Sequence, residues 1–179
     1  MRAARFALLL LPLGALPASS RPIIQAADAN PVTVFLVRHA EKATDDPRDP
    51  NLTEGGRGRA QELARVLADA GVTTFFASEF KRTQQTVAPL AAAAGTQVTV
   101  IGAGSMDSLV TRLQAMPPGS RALIASHSNL VHLIVKRLTG ATVKPLEDTD
   151  YDRLYVLTLS GKGVGTAVVL RYGKPATEP

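Results

Sequence analysis

Short β-branched runs alternate with stretches of helical periodicity along almost the whole chain, and this alternation constrains the fold more than any other feature. After Pro31 comes Val32-Thr33-Val34-Phe35-Leu36-Val37. A run so short, apolar and β-branched reads as a strand buried on both faces. From Thr53 the period changes: Ala60, Leu63, Ala64, Leu67 and Ala70 fall on one helical face, with Thr53 as N-cap and Gly71 as C′ residue. Gly55, Gly56 and Gly58 weaken the first turns of that helix. The pair of patterns then repeats. Residues 73–77 read as a strand and 81–94 as a helix ended by Gly95. Residues 97–101 read as a strand and 106–116 as a helix stopped by Pro117-Pro118-Gly119. Residues 121–126 read as a strand and 129–138 as a helix ended by Gly140. Two further strands, 153–159 and 164–171, flank a hairpin turn at Ser160-Gly161-Lys162-Gly163.

Strand and helix in alternation imply an α/β fold: a single three-layer domain, its sheet mainly parallel, with helices on both faces. The length of 179 residues suffices for one such domain. Tryptophan is absent and aromatics are few, so the core is built from Ala, Val, Leu and Ile. No internal repeat or second domain is visible. A polar, Pro- and Asp-rich stretch from Glu41 to Asn51 reads as a loop.

The first residues stand apart. Arg2 and Arg5 precede an apolar run from Phe6 to Leu16, and the small residues Ala18, Ser19 and Ser20 follow. Basic, then apolar, then small is the layout of a secretory signal peptide. The run is shorter than the roughly 20 residues a membrane-spanning helix needs, and Pro12 and Pro17 oppose a buried helix. Residues 1–29 are therefore expected to be a leader, cleaved after about residue 20 or 29, and the mature domain, 30–179, to be periplasmic or secreted, with no stable membrane insertion. Cysteine is absent, which is compatible with export if the core suffices. Cleavage after Ala29 removes Arg2, Arg5, Arg21 and Asp28, and so lowers the net charge of +5 by two. No lysine run or basic-aromatic interleaving suggests a nucleic-acid partner. A mildly basic domain suits an anionic small substrate.

In open α/β sheets the ligand sits beyond the carboxyl ends of the strands. Three segments meet that condition. The first strand runs into Arg38-His39-Ala40-Glu41. The second ends at Ser78-Glu79, with Lys81-Arg82-Thr83 opening a helix. The fourth ends at Ser126-His127-Ser128-Asn129. Arginine offers planar donor forks to a phosphate dianion, and helix N-termini add backbone N–H groups. A neutral imidazole can attack phosphorus when its other ring nitrogen is held as N–H. A second, protonated histidine can hold the transferring oxygens.

These segments resemble the histidine phosphatase superfamily, the phosphoglycerate mutase-like fold. Arg38-His39-Ala40 matches the family's Arg-His-Gly, with alanine as in a small bacterial branch that carries Arg-His-Ala-Glu. Leu52-Thr53-Glu54-Gly55-Gly56 resembles its Leu-Thr-x-x-Gly. Residues Ser78 to Thr86 resemble the segment that supplies the second arginine. Ser126-His127-Ser128-Asn129 resembles Gly-His-Ser-Asn. The resemblance spans nearly all of 32–159. It implies that His39 forms a phosphohistidine intermediate and that Arg38, Arg82 and His127 bind the phosphoryl group, with no metal or cofactor. It also implies an acid that protonates the leaving oxygen, for which Asp107 is the first candidate and Glu41 the second.

Other polar residues have plainer readings. His132 lies mid-helix among Leu130, Val131, Leu133, Ile134 and Val135 and is expected to be a satisfied, largely buried histidine. Asp45-Asp46 and Glu147-Asp148 read as solvated loop pairs rather than metal ligands. The short link between the third strand and the fourth predicts a shallow, open phosphate site without a covering insert, accessible to a phosphorylated small molecule or to a large phosphate such as a phosphorylated saccharide or protein. The competing functions are a phosphoglycerate mutase, a phosphohistidine protein phosphatase and a phosphate-binding module without turnover. The sequence does not define the oligomeric state.

Overall fold

The computed structural model describes residues 30–160 and 165–175. The leader, 1–29, and most of the 160–163 turn lie outside the described residues. In chain order the described elements are β1 (Val32–Arg38), α1 (Glu54–Val66), β2 (Thr74–Ala77), α2 (Lys81–Ala93), β3 (Val98–Val100), α3 (Met106–Gln114), β4 (Arg121–Ser126), α4 (Ser128–Thr139), β5 (Arg153–Leu159) and β6 (Thr166–Arg171). They build a single mixed sheet in the order β3-β2-β4-β1-β5-β6. The first four positions are parallel, and β5 and β6 join antiparallel at one side.

Crossover helices must cover the parallel part on both faces, and they do. α3 and α4 bury Leu109, Leu113, Val131 and Ile134 against Val34, Leu36 and Ile124. α1 and α2 bury Leu63, Val87 and Leu90 against Val37, Phe75 and Leu123 on the opposite face. β1 alternates between the two clusters, so its Val34, Leu36 and Val37 are fully enclosed. Burying such a side chain stabilises the fold by roughly 1.5–3 kcal/mol. The expected α/β architecture is therefore the observed one.

The differences lie at element ends. The helix expected to reach Gly71 stops at Val66. The Ala68 N–H turns back to the Arg65 carbonyl and the Ala70 N–H to the Leu67 carbonyl; these three-residue bonds tighten the chain out of α geometry. Leu67 is still buried, so the apolar period outlasts the helix. α3 ends two residues early, at Gln114. β3 shrinks to three residues at the sheet edge, with Thr99 and Val100 exposed. Gly140, at φ 74°, closes α4.

Candidate active site

The carboxyl ends of β1, β2 and β4 meet at one edge of the sheet, and the parallel register decides which residues meet there. Arg38 pairs with Ser126, and the His39 N–H donates to the Ser126 carbonyl at 2.8 Å. His39 and His127 are the next residues on adjacent strands. Their ring centroids are 5.5 Å apart, edge to face. Both are buried, as is Arg38.

The backbone around His39 is pinned from α2. The Thr86 hydroxyl accepts the Ala40 N–H at 2.9 Å and donates to the Arg82 carbonyl at 2.7 Å. Ala40 itself packs with Leu52 and Ala60 in a small separate cluster; its methyl fills the space a glycine would leave. His39 Nδ1 lies 2.8 Å from the Ala40 carbonyl. A carbonyl only accepts, so Nδ1 carries the proton and Nε2 keeps the lone pair. Burial lowers the His39 pKa to about 3, helped by Arg38, His127 and Arg82 and opposed by the Ala40 hydrogen bond. The ring is a neutral imidazole of defined tautomer, with Nε2 carrying the lone pair.

His127 is neutral too. Burial first, then Arg82 and Arg38, lower its pKa to about 4, with Glu79 opposing. The imidazolium expected from the sequence is therefore disfavoured by the protein alone, and a nearby anion would favour it. His127 Nε2 lies 2.9 Å from the Ser78 hydroxyl, which lies 2.9 Å from that of Thr83. Thr83 donates to the Phe80 carbonyl at 2.7 Å. With that proton committed, Ser78 donates to Thr83 and receives the Nε2 proton. His127 Nδ1 is then the lone-pair nitrogen, and it gains a proton when the ring becomes cationic.

Arg38 enters from β1 and Arg82 from the first turn of α2. The Nη1 of Arg38 donates to the carbonyls of Glu147 and Asp148 at 2.9 and 2.8 Å, and its guanidinium lies 4.2 Å over the Tyr151 ring. Arg82 stacks 4.2 Å over Phe80 and stands 4.0 Å from Asp49. The Nε of each arginine is buried without a hydrogen-bond partner. Two guanidinium donors without a protein partner, beside two imidazoles, are suited to an anion.

The structure brings Arg38, His39, Arg82 and His127 together, but not the two candidate acids. The Asp107 side chain is 83% exposed and pairs with Arg137 of α4 at 2.5 Å. Glu41 is near the site but engaged: Arg59 Nε contacts both its oxygens at 2.9 and 3.1 Å, and Nη2 reaches one at 2.7 Å. Tyr151, 6.2 Å from His39 between ring centroids, and the 147–148 carbonyls were not singled out from the sequence, because a loop carries no periodic signal. Glu147 and Asp148 do expose their side chains as expected, yet their backbone serves Arg38. Asp45 and Asp46 accept hydrogen bonds within their own loop, from Asn51, Arg48 and Asp49. His132 is half-buried, and its Nδ1 lacks a partner rather than being satisfied.

Residues 34–102 match the model of the histidine phosphatase superfamily (branch 1). That stretch holds Arg38, His39 and Arg82; His127 lies beyond it and is supplied by the fold. Among solved structures, the chain resembles protein histidine phosphatase SixA complexed with tungstate (24% identity, TM-score 0.67, covering 78% of this chain and 96% of that one). It also resembles a mycobacterial glucosyl-3-phosphoglycerate phosphatase complexed with VO3 (15%, TM-score 0.63, 79% and 99%) and a mycobacterial hydrolase (12%, TM-score 0.62, 79% and 99%). No curated protein matches the sequence.

Proposed function

We propose that this chain, a histidine phosphatase by its sequence over residues 34–102 and by its fold, hydrolyses phosphate monoesters through a phosphohistidine on His39, without a metal. The observation that carries this is the His39 tautomer: with Nδ1–H given to the Ala40 carbonyl, Nε2 is free to attack.

Arg38, Arg82 and His127 hold the phosphoryl oxygens. His39 Nε2 forms a bond to phosphorus as the bond from phosphorus to the ester oxygen breaks. The leaving oxygen departs with a proton. Water then attacks phosphorus, the P–N bond breaks, and inorganic phosphate leaves with His39 neutral again. As the dianion enters, its charge favours a protonated His127. Glu41 is engaged by Arg59 through both its oxygens, so water supplies the proton to the leaving oxygen.

The site is open on the β3 side, where only residues 101–105 separate β3 from α3. That openness favours hydrolysis of a substrate larger than its phosphate over an enclosed mutase reaction. The basic, apolar and small-residue order of residues 1–29 supports export of the domain. The amino-terminal sequence of protein recovered outside the cytoplasm tests it, and an intact Met1 there would refute cleavage.

The deciding measurement is hydrolysis of p-nitrophenyl phosphate in excess EDTA by the wild type and His39→Ala. Turnover that survives chelation and is lost in the variant is expected. Equal activity in both proteins removes His39 from the mechanism. Binding of phosphate without turnover in the wild type leaves a binding module.

A further inference from the structure

Beside the phosphate site lies a groove of about 850 Å³. Sites of roughly 300–1,000 Å³ engulf ligands of drug size, so this one is much larger than a phosphate requires. It runs between the first turns of α1, the 149–151 loop and the chain at 173–175. Tyr151 joins the two: it lines the groove and also carries the Arg38 guanidinium.

The glycines of α1 divide by what they face. A Cβ on Gly56 would collide with the Glu41 carbonyl, so packing requires that glycine. Gly58 is different. It lies inside the helix, is exposed, and has nothing within 4 Å of where its Cβ would sit. Glycine there costs about 1 kcal/mol of helix stability relative to alanine, with no contact inside the protein in return. Gly58 and Gly55 both line the groove, where they leave helix backbone bare for a ligand to approach.

The lining also restricts the ligand's chemistry. It contains no Leu, Ile, Val, Phe or Met, so its apolar surface comes from glycines, Pro175, the Tyr151 ring and the carbon stems of polar side chains, against which the CH faces of a sugar can pack. With Arg65 outside the groove counted, its charges balance: Glu41 is paired with Arg59, Glu62 with Arg65, and the lining also holds one carboxylate, Glu54, and one ammonium, Lys174. A neutral group with many hydroxyls fits such a surface, with carboxylates as acceptors, Lys174 as donor and Tyr151 and Pro175 as flat packing surfaces.

Resting on the phosphatase function proposed above, we infer that this groove is the leaving-group subsite and that its occupant is the sugar of a phosphorylated saccharide. The test compares kcat/KM for trehalose 6-phosphate, glycerol 2-phosphate and a phosphoserine peptide, in the wild type and in Gly58→Leu. Leucine is a better helix former than glycine, so the variant's thermal midpoint should hold or rise. The disaccharide ester should exceed glycerol 2-phosphate by about tenfold or more, about 1.4 kcal/mol of added transition-state binding. Gly58→Leu should erase that advantage and leave glycerol 2-phosphate within about twofold of wild type. Equal efficiency on both esters, or equal losses on both, overturns the subsite while the phosphatase function stands. A peptide preference that Gly58→Leu abolishes overturns the saccharide. No hydrolysis of any ester, p-nitrophenyl phosphate included, overturns the phosphatase function and the subsite with it.

Discussion

His39 sits beside His127 because Arg38 and Ser126 are register partners in the β1–β4 ladder. The two imidazoles, 88 positions apart in the chain, are thus brought together by the backbone hydrogen bonds of the sheet. A one-residue slip would turn every side chain of β1 to the opposite face, and the sequestered apolar residues on both faces forbid it. The relative placement of His39 and His127 is therefore fixed by the sheet itself.

Burial holds both rings neutral, and this predicts how stability depends on pH. A histidine's ordinary pKa is near 6.5, while in the fold His39 lies at about 3 and His127 at about 4. Depressed folded values mean that the unfolded chain binds more protons in that interval. Stability is full above pH 6.5 and falls as pH drops towards 4 and then 3. Urea denaturation at several pH values should show the slope, and His39→Asn should reduce it. A wild type equally stable at pH 7 and pH 4 would refute the burial argument.

Phosphate should reverse part of that shift. A dianion between the arginines and His127 favours the imidazolium, so saturating inorganic phosphate should raise the His127 pKa from about 4 towards neutrality. Titration of the ring protons by NMR measures it. No movement would place the anion elsewhere.

Asp107 pairs with Arg137 at the surface, away from the His39 cluster. Asp107→Asn should leave kcat/KM within about twofold and stability within about 0.5 kcal/mol, the range of exposed pairs. A loss of a hundredfold on esters with poor leaving groups would restore it as the acid.

Glu41 should matter first for folding. Arg59 is buried, and its other acceptors are the Tyr172 and Lys174 carbonyls at 3.2 and 3.0 Å. Glu41→Gln leaves that cation without its carboxylate, at a cost of about 2–4 kcal/mol. The denaturation midpoint should fall while p-nitrophenyl phosphate turnover, which needs little acid help, persists in the folded fraction. An unchanged midpoint would show the pair to be energetically idle.

Tyr151 positions Arg38 through its ring face. Tyr151→Ala should lower kcat/KM by about tenfold through KM, because a cation–π contact and its packing are worth about 1–2 kcal/mol. Tyr151→Phe, which keeps the ring, should restore most of it. Equal losses in both variants would assign the effect to the hydroxyl instead.

The strands and helices were legible because each is short and strongly patterned: residues 32–37 can hardly be anything but a buried strand, and Leu63 with Leu67 marks a helix face. The four candidate site residues were legible because Arg38, His39 and His127 fall at or just past strand ends and Arg82 opens the helix after β2. Where α1 stops was not, since Leu67 keeps the apolar period after the helix has unwound. Nor was the partner of Glu41: Arg59 looks like any solvated helix residue until the fold closes the 173–175 segment over it. Tyr151 sits in a segment whose role comes only from tertiary contact.

The strand that leads into His39 is the first of the described elements and sits near the centre of the sheet. Thr33 pairs with Arg121, and Val32 with Leu159. These pairings close loops of 88 and 127 positions, and such non-local pairing slows folding. No early folding intermediate made of α1, β2 and α2 can hold the pocket, because His127 and the Tyr151 platform enter it last. Recovered turnover is thus a clock for the final step of refolding, lagging behind helix formation and silent in every fragment that stops short of β5.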